Sequence, residues 1–331
     1  MKKDYPLITI ITATYKKFDK LYETMRSVFL QNYPNIELVI CDDGSDNFPE
    51  EKINSFIEKN KSSNVVSVKV LHSEQNHGTV KNLNNAYKKS SGKYIVNLSC
   101  GDVFFETDTV SKITQRFMKT DCRVLVTSRV LYRDKYNYKY MLPHYTERRI
   151  IKRFDDNKKQ YAAFTAGRYY DMASGSAMYF SRDIIEEIGY FDERYILWED
   201  GPFLAKYLYK YPLEFAYDIV SIWYEDGGVS AKGGSLHPLL KKDIDMFNNG
   251  ERVAHVKELS KRDRARMVYM KKSRENKSAL EKIRNYIIYF PEVSFYVTMN
   301  YIRRFRVKKD KQIIERLLID NKDKIIGYYD K

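Results

Sequence analysis

Short apolar runs alternate with amphipathic stretches along the first part of the chain. The apolar runs at 7–12, 36–41 and 94–99 stop at polar turns or loops, so they predict buried strands. The stretches between them repeat apolar residues every three or four positions, which predicts amphipathic helices. Strand and helix alternate five times with short connections. This order is typical of an open α/β sheet with mostly parallel strands.

Polar residues follow the predicted strands at the edge of the sheet where such folds bind ligands. These strand ends lie at 12–15, 42–45 and 99–102, and two of the three carry carboxylates. The chain has no Gly-x-Gly-x-x-Gly after its first strand and no Gly-Lys-Ser/Thr loop, which disfavours a dinucleotide fold and a P-loop. The acidic strand ends instead indicate a divalent metal that mediates a phosphate ligand.

Charge divides the chain into two unequal parts. The whole sequence of 331 residues has a net charge of +14, of which residues 1–240 carry +3 and residues 241–331 carry +11. We therefore expect a main domain over 1–240 and a basic helical region over 241–331. The longest stretch without a charged residue has 11 residues, too few for a membrane span, and we expect no signal peptide.

The three cysteines include no Cys-x-x-Cys pair, which excludes a disulfide scaffold and a zinc knuckle and suits a reducing compartment. We therefore expect a cytoplasmic protein.

Seven short motifs occur in a fixed order between residues 8 and 200. They are ITIITATY (8–15), YPNIELVICDDGS (33–45), NHG (76–78), GKYI (92–95), LSCGD (98–102), GYFDE (189–193) and ED (199–200). Together they resemble the family-2 glycosyltransferases with the A-type nucleotide-sugar fold, over roughly 7–230. The resemblance implies a single Rossmann-like nucleotide-diphospho-sugar transferase domain with a nucleotide-binding half (1–128) and an acceptor and catalytic half (129–240).

The resemblance implies a donor site for a UDP-sugar at the first strand ends. Asp43 matches the residue that accepts a hydrogen bond from the uracil N–H, and Tyr15 matches the ring that stacks on the base. An ordinary Asx-turn is the alternative interpretation of residues 42–45. Lys81 could reach a phosphate of the donor, and the alternative is that it is simply a solvated lysine on a helix. The other donor-binding candidates are Ala13, Thr14, Asp42, Lys81, Ser99, Gly101 and Asp102.

The metal motif of the family is reduced in this chain. Where the family usually has an Asp-x-Asp and a further Asp, this sequence has Ser99 and Gly101 in the positions of the missing aspartates and keeps only Asp102. The resemblance assigns Mn²⁺ or Mg²⁺ to Asp102, with weak or dispensable metal use, and a turn or helix-cap role is the alternative. His237, after the Gly-rich segment 227–234, is a weak second candidate ligand.

An inverting transfer needs a general base for the acceptor hydroxyl group. The family's base is the second acid of a Glu-Asp pair that begins a helix, and Asp200 matches it, with Pro202 suited to a first turn. We expect the helix N-terminus to favour the ionised form of Asp200. A helix cap is the alternative. Glu199 is expected to support the donor sugar or the acceptor, and 175–178 to line the floor of the site.

Two further segments bear on partners. Residues 129–170 are rich in Tyr, Arg and Lys, so they form either an acceptor wall or a plain surface insert. Residues 281–309 alternate apolar and basic groups, which suits either the anionic inner leaflet of a membrane or a helical subdomain packed on the main domain. Surface contact with a membrane would suit a lipid-linked saccharide acceptor.

These observations predict an inverting glycosyltransferase that uses a UDP-sugar and a glycan or lipid-linked saccharide in cell-surface polysaccharide or capsule biosynthesis. The alternatives are a sugar-phosphate nucleotidyltransferase of related fold and a non-catalytic nucleotide-sugar-binding relative. Nucleic-acid binding is disfavoured, because the basic residues interleave with acidic ones and no nucleic-acid module is present.

Overall fold

A computed structural model describes residues 5–133, 137–167, 172–225, 236–275, 278–294 and 303–327. Nine strands of the described chain form one sheet in the order β3-β2-β1-β4-β8-β6-β9-β5, and β7 pairs with β6. The strands are β1 (Ile8–Thr14), β2 (Ile36–Asp42), β3 (Val65–His72), β4 (Tyr94–Asn97), β5 (Val103–Phe104), β6 (Val124–Arg133), β7 (Asn137–Leu142), β8 (Met178–Ser181) and β9 (Glu214–Glu225).

Helices cover both faces of this sheet. They are α1 (Phe18–Phe29), α2 (Glu50–Asn60), α3 (Thr79–Lys89), α4 (Thr109–Thr120), α5 (Tyr145–Ile151), α6 (Asn157–Thr165), α7 (Arg182–Ile188), α8 (Asp200–Lys210), α9 (Pro238–Asn249), α10 (Lys261–Glu275), α11 (Ala279–Ile288) and α12 (Arg303–Asp320). The predicted α/β architecture is confirmed. The described chain contains no helix that is both long and apolar enough to cross a bilayer.

The two halves of the sheet differ in strand direction. Strands β1 to β4 run parallel to one another, as the alternating pattern predicts. Beyond β4 the sheet becomes mixed, because β8 runs antiparallel to both β4 and β6 while β9 runs parallel to β6. The last strand, β5, pairs antiparallel with the end of β9. This pairing brings residues near 102 next to residues near 225.

The core lies on both faces of the sheet. In β2, Leu38 and Ile40 belong to one hydrophobic cluster, whereas Val39 and Cys41 belong to the other. Every residue of β2 is buried, which is why its sequence reads as a continuous apolar run instead of an alternating one.

The basic C-terminal region packs against the rest of the protein. Ile314 and Leu318 of α12 are buried in one hydrophobic cluster, and Phe247 of α9 is buried in the other. The fully buried carboxylate of Asp310 contacts His144 Nδ1 and accepts the backbone N–H of Tyr145 at 2.9 Å. The expected division after residue 240 falls inside α9, so the two parts share a helix.

Candidate functional site

The carboxyl ends of β1, β2 and β4 open into a cleft of about 570 Å³. It brings together most of the residues that the sequence proposed, including both carboxylates of the Glu-Asp pair. The lining contains Ala13, Thr14, Tyr15, Asp43, Ser99, Asp102, Glu199 and Asp200, together with Lys17, Asn82, Trp198 and Glu225. Parallel strands meet at this edge, so residues far apart in sequence converge here.

Asp43 is held rigidly at one end of the cleft. It is 5% exposed, and its carboxylate accepts the backbone N–H groups of His77 (2.9 Å) and Gly78 (3.0 Å). Gly44 has a φ of +72°, and a Cβ atom there would lie 2.2 Å from the carbonyl carbon of Gln75. Only glycine suits such a left-handed position in contact with another backbone segment. The turn therefore fixes the Asp43 carboxylate beside the start of α3.

Several groups near Asp43 suit a planar polar ligand. The ring of Tyr15 is 43% exposed at the rim of the cleft. The buried oxygens Thr14 Oγ1 and Asn82 Oδ1 have no hydrogen-bond partner within the described chain. Buried polar atoms are normally paired, so these two indicate where a ligand supplies the missing partner. Asn84, two residues further along α3, bonds the backbone of Phe191 and is not part of the cleft lining.

Four of the predicted site residues, Asp42, Lys81, Gly101 and His237, lie outside the cleft lining. Asp42 is fully buried, and its carboxylate accepts Ser45 N at 2.8 Å and contacts His72 Nδ1 at 2.9 Å, so it secures the turn. Lys81 is exposed on α3. His237 is exposed and caps α9, with its Nδ1 accepting the backbone N–H of Leu239 at 3.3 Å. The Gly-rich segment at 227–234 lies outside the described residues.

Asp102 presents one unsatisfied oxygen to the cleft. It is 3% exposed; its Oδ1 accepts the backbone N–H of Glu225 at 3.0 Å, and its Oδ2 has no partner in the described ranges. Burial raises the pKa of Asp102 to about 7. A buried, unpaired carboxylate oxygen is a donor that Mg²⁺ or Mn²⁺ accepts. However, no group of three or more His, Cys, Asp or Glu residues suited to a metal occurs among the described residues.

Gly101 is buried beside Asp102 and is not among the residues that line the cleft. It has a φ of +101°, and its carbonyl oxygen accepts the hydroxyl group of Tyr132 at 2.9 Å. Gly101 therefore shapes the loop that holds Asp102 instead of contacting a ligand.

Glu199 and Asp200 begin α8 inside the cleft. Asp200 Oδ2 accepts the backbone N–H of Gly175 at 2.8 Å, and a Cβ atom on Gly175 would lie 2.6 Å from Glu199 Oε1. Burial raises the pKa of Asp200 more than hydrogen bonds from Gly175, Trp198 and Gly201 lower it. The hydrogen bond from Gly201 at the helix N-terminus favours the ionised form, as expected, but burial outweighs it and the pKa of Asp200 is raised overall.

The pKa of the neighbouring Glu199 is raised as well. Burial and the charge of Asp200 raise the pKa of Glu199 to about 8. At pH 7 Glu199 is therefore mostly protonated.

The segment before Glu199 is held by a residue that sequence analysis missed. Asp243 of α9 is 1% exposed, and its Oδ2 accepts the backbone N–H groups of Ile196 (3.0 Å), Leu197 (2.7 Å) and Trp198 (3.1 Å). Its signal in the sequence is a charged residue on the buried face of an amphipathic helix, between Leu240 and Phe247. Charged residues are rarely fully buried without partners.

A second cavity of about 560 Å³ adjoins the first at Asp200. The two share Ser174, Trp198, Asp200, Leu236 and Ile244. The second is also lined by the aromatic residues Phe164 and Phe247 and by the cationic residues Arg129, Lys241 and Arg252. From the proposed acceptor wall at 129–170, the lining includes Arg129, Phe164 and Gly167, whereas Tyr132 is buried and Tyr136 and Tyr170 lie outside the described residues.

Comparison with protein families gives one extended match. Residues 9–189, more than half of the chain, match the model described as Glycosyl transferase family 2. Among curated proteins, WfaP of Escherichia coli, named UDP-Glc:alpha-D-GlcNAc-diphosphoundecaprenol beta-1,3-glucosyltransferase, is 34% identical over 115 residues, which are 35% of this chain and 42% of WfaP. TuaG of Bacillus subtilis, a putative teichuronic acid biosynthesis glycosyltransferase, is 26% identical over 117 residues, 35% of this chain and 44% of TuaG. This chain thus spans less than half the length of these relatives.

Solved structures resemble this chain over most of its length. Staphylococcus aureus TarS 1–349 in complex with UDP-GlcNAc has a TM-score of 0.56 at 14% identity, covering 87% of this chain and 81% of that one. The mannosyltransferase PcManGT from Pyrobaculum calidifontis, in complex with GDP-Man and Mn²⁺, has a TM-score of 0.51 at 13% identity and covers 99% and 89%. At these identities the likeness establishes the fold alone.

Proposed function

Because this chain belongs to glycosyl transferase family 2, we propose that it is an inverting glycosyltransferase of cell-surface polysaccharide biosynthesis. It moves a sugar from a UDP-sugar to a hydroxyl group of a glycan or lipid-linked saccharide. The observation that carries the proposal is the position of Asp200, which lies where two cavities meet. A base between a donor cleft and an acceptor cavity reaches the hydroxyl group that attacks the sugar.

The donor cleft suits a uracil nucleotide. The uracil N3–H is a hydrogen-bond donor, and the fixed Asp43 carboxylate is an acceptor at the strand end. Tyr15 offers an exposed ring for stacking on the base, and Asn82 Oδ1 and Thr14 Oγ1 offer further acceptors. UDP-glucose stands in the name of WfaP, and TarS has been solved with UDP-GlcNAc, so the same nucleotide is the first choice for this chain.

Asp200 acts as the general base in this scheme. It accepts the proton of the acceptor hydroxyl group while that oxygen forms a bond to the anomeric carbon and the bond from this carbon to the diphosphate breaks. Because Gly175 N–H holds Oδ2, Oδ1 is the oxygen that we assign to the acceptor. Burial raises the pKa of Asp200, which makes its ionised form a stronger base. Protonated Glu199 can donate a hydrogen bond to the sugar.

The diphosphate leaving group needs positive charge nearby. Asp102 Oδ2 is the oxygen that would hold a divalent cation, and Lys17 lines the same part of the cleft. When bound, such a cation neutralises the charge that develops on the diphosphate. The reduced motif leaves the protein with one aspartate for this purpose.

The second cavity is the proposed acceptor subsite. Trp198, Phe164 and Phe247 offer apolar surfaces for a sugar ring, whereas Arg129, Lys241 and Arg252 offer positive charge. This combination suits a saccharide carried on a diphosphate. The name of WfaP gives a diphosphoundecaprenol-linked sugar as its acceptor, and the same class is the proposed acceptor here.

Helix α11 is the proposed contact with the membrane that holds such an acceptor. Leu280 (80% exposed), Ile283 (56%) and Ile287 (68%) follow one another along one face of this helix. Lys282 and Arg284 are exposed on the same helix. An exposed apolar stripe with adjacent cations suits an anionic lipid surface. The rest of the proposed segment differs from this stripe: Val293 is fully buried, and 295–302 lie outside the described residues.

Replacing the base tests the proposal. Asp200→Asn should lower transfer from a UDP-sugar by about 10²–10⁴-fold, whereas calorimetry should find unchanged UDP affinity. The matched control is Asp320→Asn, which alters an exposed aspartate at the end of α12 and should leave both properties unchanged. Full turnover in Asp200→Asn would remove this residue from the base role. Absence of UDP binding in the wild type would contradict the donor assignment, and binding without any turnover would favour the non-catalytic alternative.

A further inference from the structure

Glu225 lies where the missing metal carboxylate of the sequence motif would be expected. The antiparallel register between Val103 and Trp223, continued by two residues, sets Glu225 opposite Gly101. A Cβ atom built on Gly101 would lie 2.3 Å from Glu225 Oε2. The carboxylate of Glu225 therefore fills the space into which a side chain at residue 101 would extend.

Residue 101 cannot itself carry the carboxylate that Glu225 supplies. Its φ of +101° is a backbone conformation that residues with a Cβ atom rarely adopt, so the loop requires glycine. A carboxylate for this part of the cleft must consequently come from another strand. The end of β9 supplies one, and the backbone N–H of Glu225 also fixes the neighbouring Asp102 through Oδ1.

The charges around Glu225 suit a ligand that carries both a cation and a diphosphate. Lys17 and Lys20 each approach the Glu225 carboxylate at 3.5 Å, and all three side chains are partly exposed, at 41%, 38% and 21%. Contacts of this length and exposure are weak, so the lysines can shift to an incoming phosphate. With Asp102 ionised, the four side chains sum to zero charge. A divalent cation bound with the doubly charged diphosphate of a nucleotide sugar keeps that sum at zero.

We propose that Glu225 is the second carboxylate of the cation site, acting with Asp102 Oδ2 on a divalent ion bound to the donor diphosphate. This inference rests on the proposed donor site. The buried Asp102 Oδ2, which has no partner among the described residues, is the independent sign that this position awaits a ligand. Two protein carboxylates with diphosphate oxygens form the all-oxygen set that Mg²⁺ and Mn²⁺ prefer.

Calorimetric titration of the full chain with UDP, with and without Mn²⁺, tests this assignment. In the wild type, Mn²⁺ should tighten UDP binding by about tenfold or more. Glu225→Gln should lose this gain, Glu225→Asp should keep part of it, and Glu58→Gln, which alters an exposed carboxylate on α2, should keep all of it. Without metal, Glu225→Gln should bind UDP slightly more tightly than the wild type, because the negative charge that competes with the diphosphate for Lys17 and Lys20 is removed.

The outcomes separate this inference from the proposed function. An equal Mn²⁺ gain in the wild type and in Glu225→Gln overturns the role of Glu225, as does the absence of any gain in the wild type. If UDP binds and Asp43→Ala weakens it, the donor site stands in both of these cases. If UDP does not bind with or without Mn²⁺, both the proposed donor site and the role of Glu225 are contradicted.

Discussion

Asp243 of α9 holds the segment that precedes the Glu-Asp pair. Replacing this residue therefore tests how α9 supports the site. Asp243 Oδ2 accepts three successive backbone N–H groups, at residues 196 to 198, immediately before Glu199. These are hydrogen bonds to a buried charge, which contribute about 1.5–3 kcal/mol each, whereas neutral ones contribute about 0.5–1.5 kcal/mol. Asp243→Asn keeps one acceptor oxygen but loses the charge, so we expect it to reduce the free energy of unfolding by about 1–3 kcal/mol.

Asp243→Ala removes the acceptor entirely. Three backbone N–H groups then lose their partner at about 1 kcal/mol or more apiece, so we expect a loss of about 3 kcal/mol or more. Because the released segment leads directly into Glu199 and Asp200, turnover should fall further than the unfolded fraction explains. Ile196 O also accepts the backbone N–H of Val80 at 3.1 Å, next to Gly78, whose N–H holds Asp43, so UDP affinity should fall as well.

Urea unfolding, UDP calorimetry and transfer rates on the same preparations separate these effects. Asp320→Asn serves as the control, since this exposed aspartate at the end of α12 should leave the midpoint of unfolding unchanged. The expected order of stability is wild type, then Asp243→Asn, then Asp243→Ala. Wild-type stability and turnover in Asp243→Ala would refute the reasoning, because they would mean that the 196–198 segment keeps its place without the carboxylate.

Three further predictions concern uracil binding by Asp43, the stability of the sheet and the contact with a membrane. Asp43→Ala should weaken UDP binding by about tenfold or more, whereas Asp46→Ala, at a side chain 82% exposed, should not; equal affinities in calorimetry would contradict the uracil assignment. Burial opposes ionisation of Glu37, but hydrogen bonds from neighbours including Lys69 lower its pKa to about 2. The resulting stabilisation of about 3 kcal/mol is present above pH 4.5 and is lost as the pH falls towards 2, so urea unfolding of Glu37→Gln and wild type should converge in acid. Ile287→Asp should reduce sedimentation with anionic vesicles by about tenfold, whereas Ile319→Asp, at an isoleucine 69% exposed on α12, should not; equal effects would contradict α11 as the contact.

The sequence by itself determined the features that depend on neighbouring residues. The alternation of apolar runs with helical periods predicted the parallel half of the sheet, and the residues directly after each strand predicted Asp43 and Asp102 as cleft residues. The family resemblance identified the Glu-Asp pair and placed it at a helix start, and α8 begins there. These features are local because a strand or a helix start is specified by a few consecutive residues.

Only the tertiary structure decided which carboxylates face the cleft and how their charge behaves. The sequence proposed both Asp42 and Asp43 for the donor site, but Asp42 contacts His72 on β3 and stabilises the turn instead. Glu225 and Asp243 reach the site from distant elements, through the pairing of β5 with β9 and through the packing of α9. The pKa of Asp200 rises because of burial, which is the sum of contacts from the whole chain and has no local sequence signal.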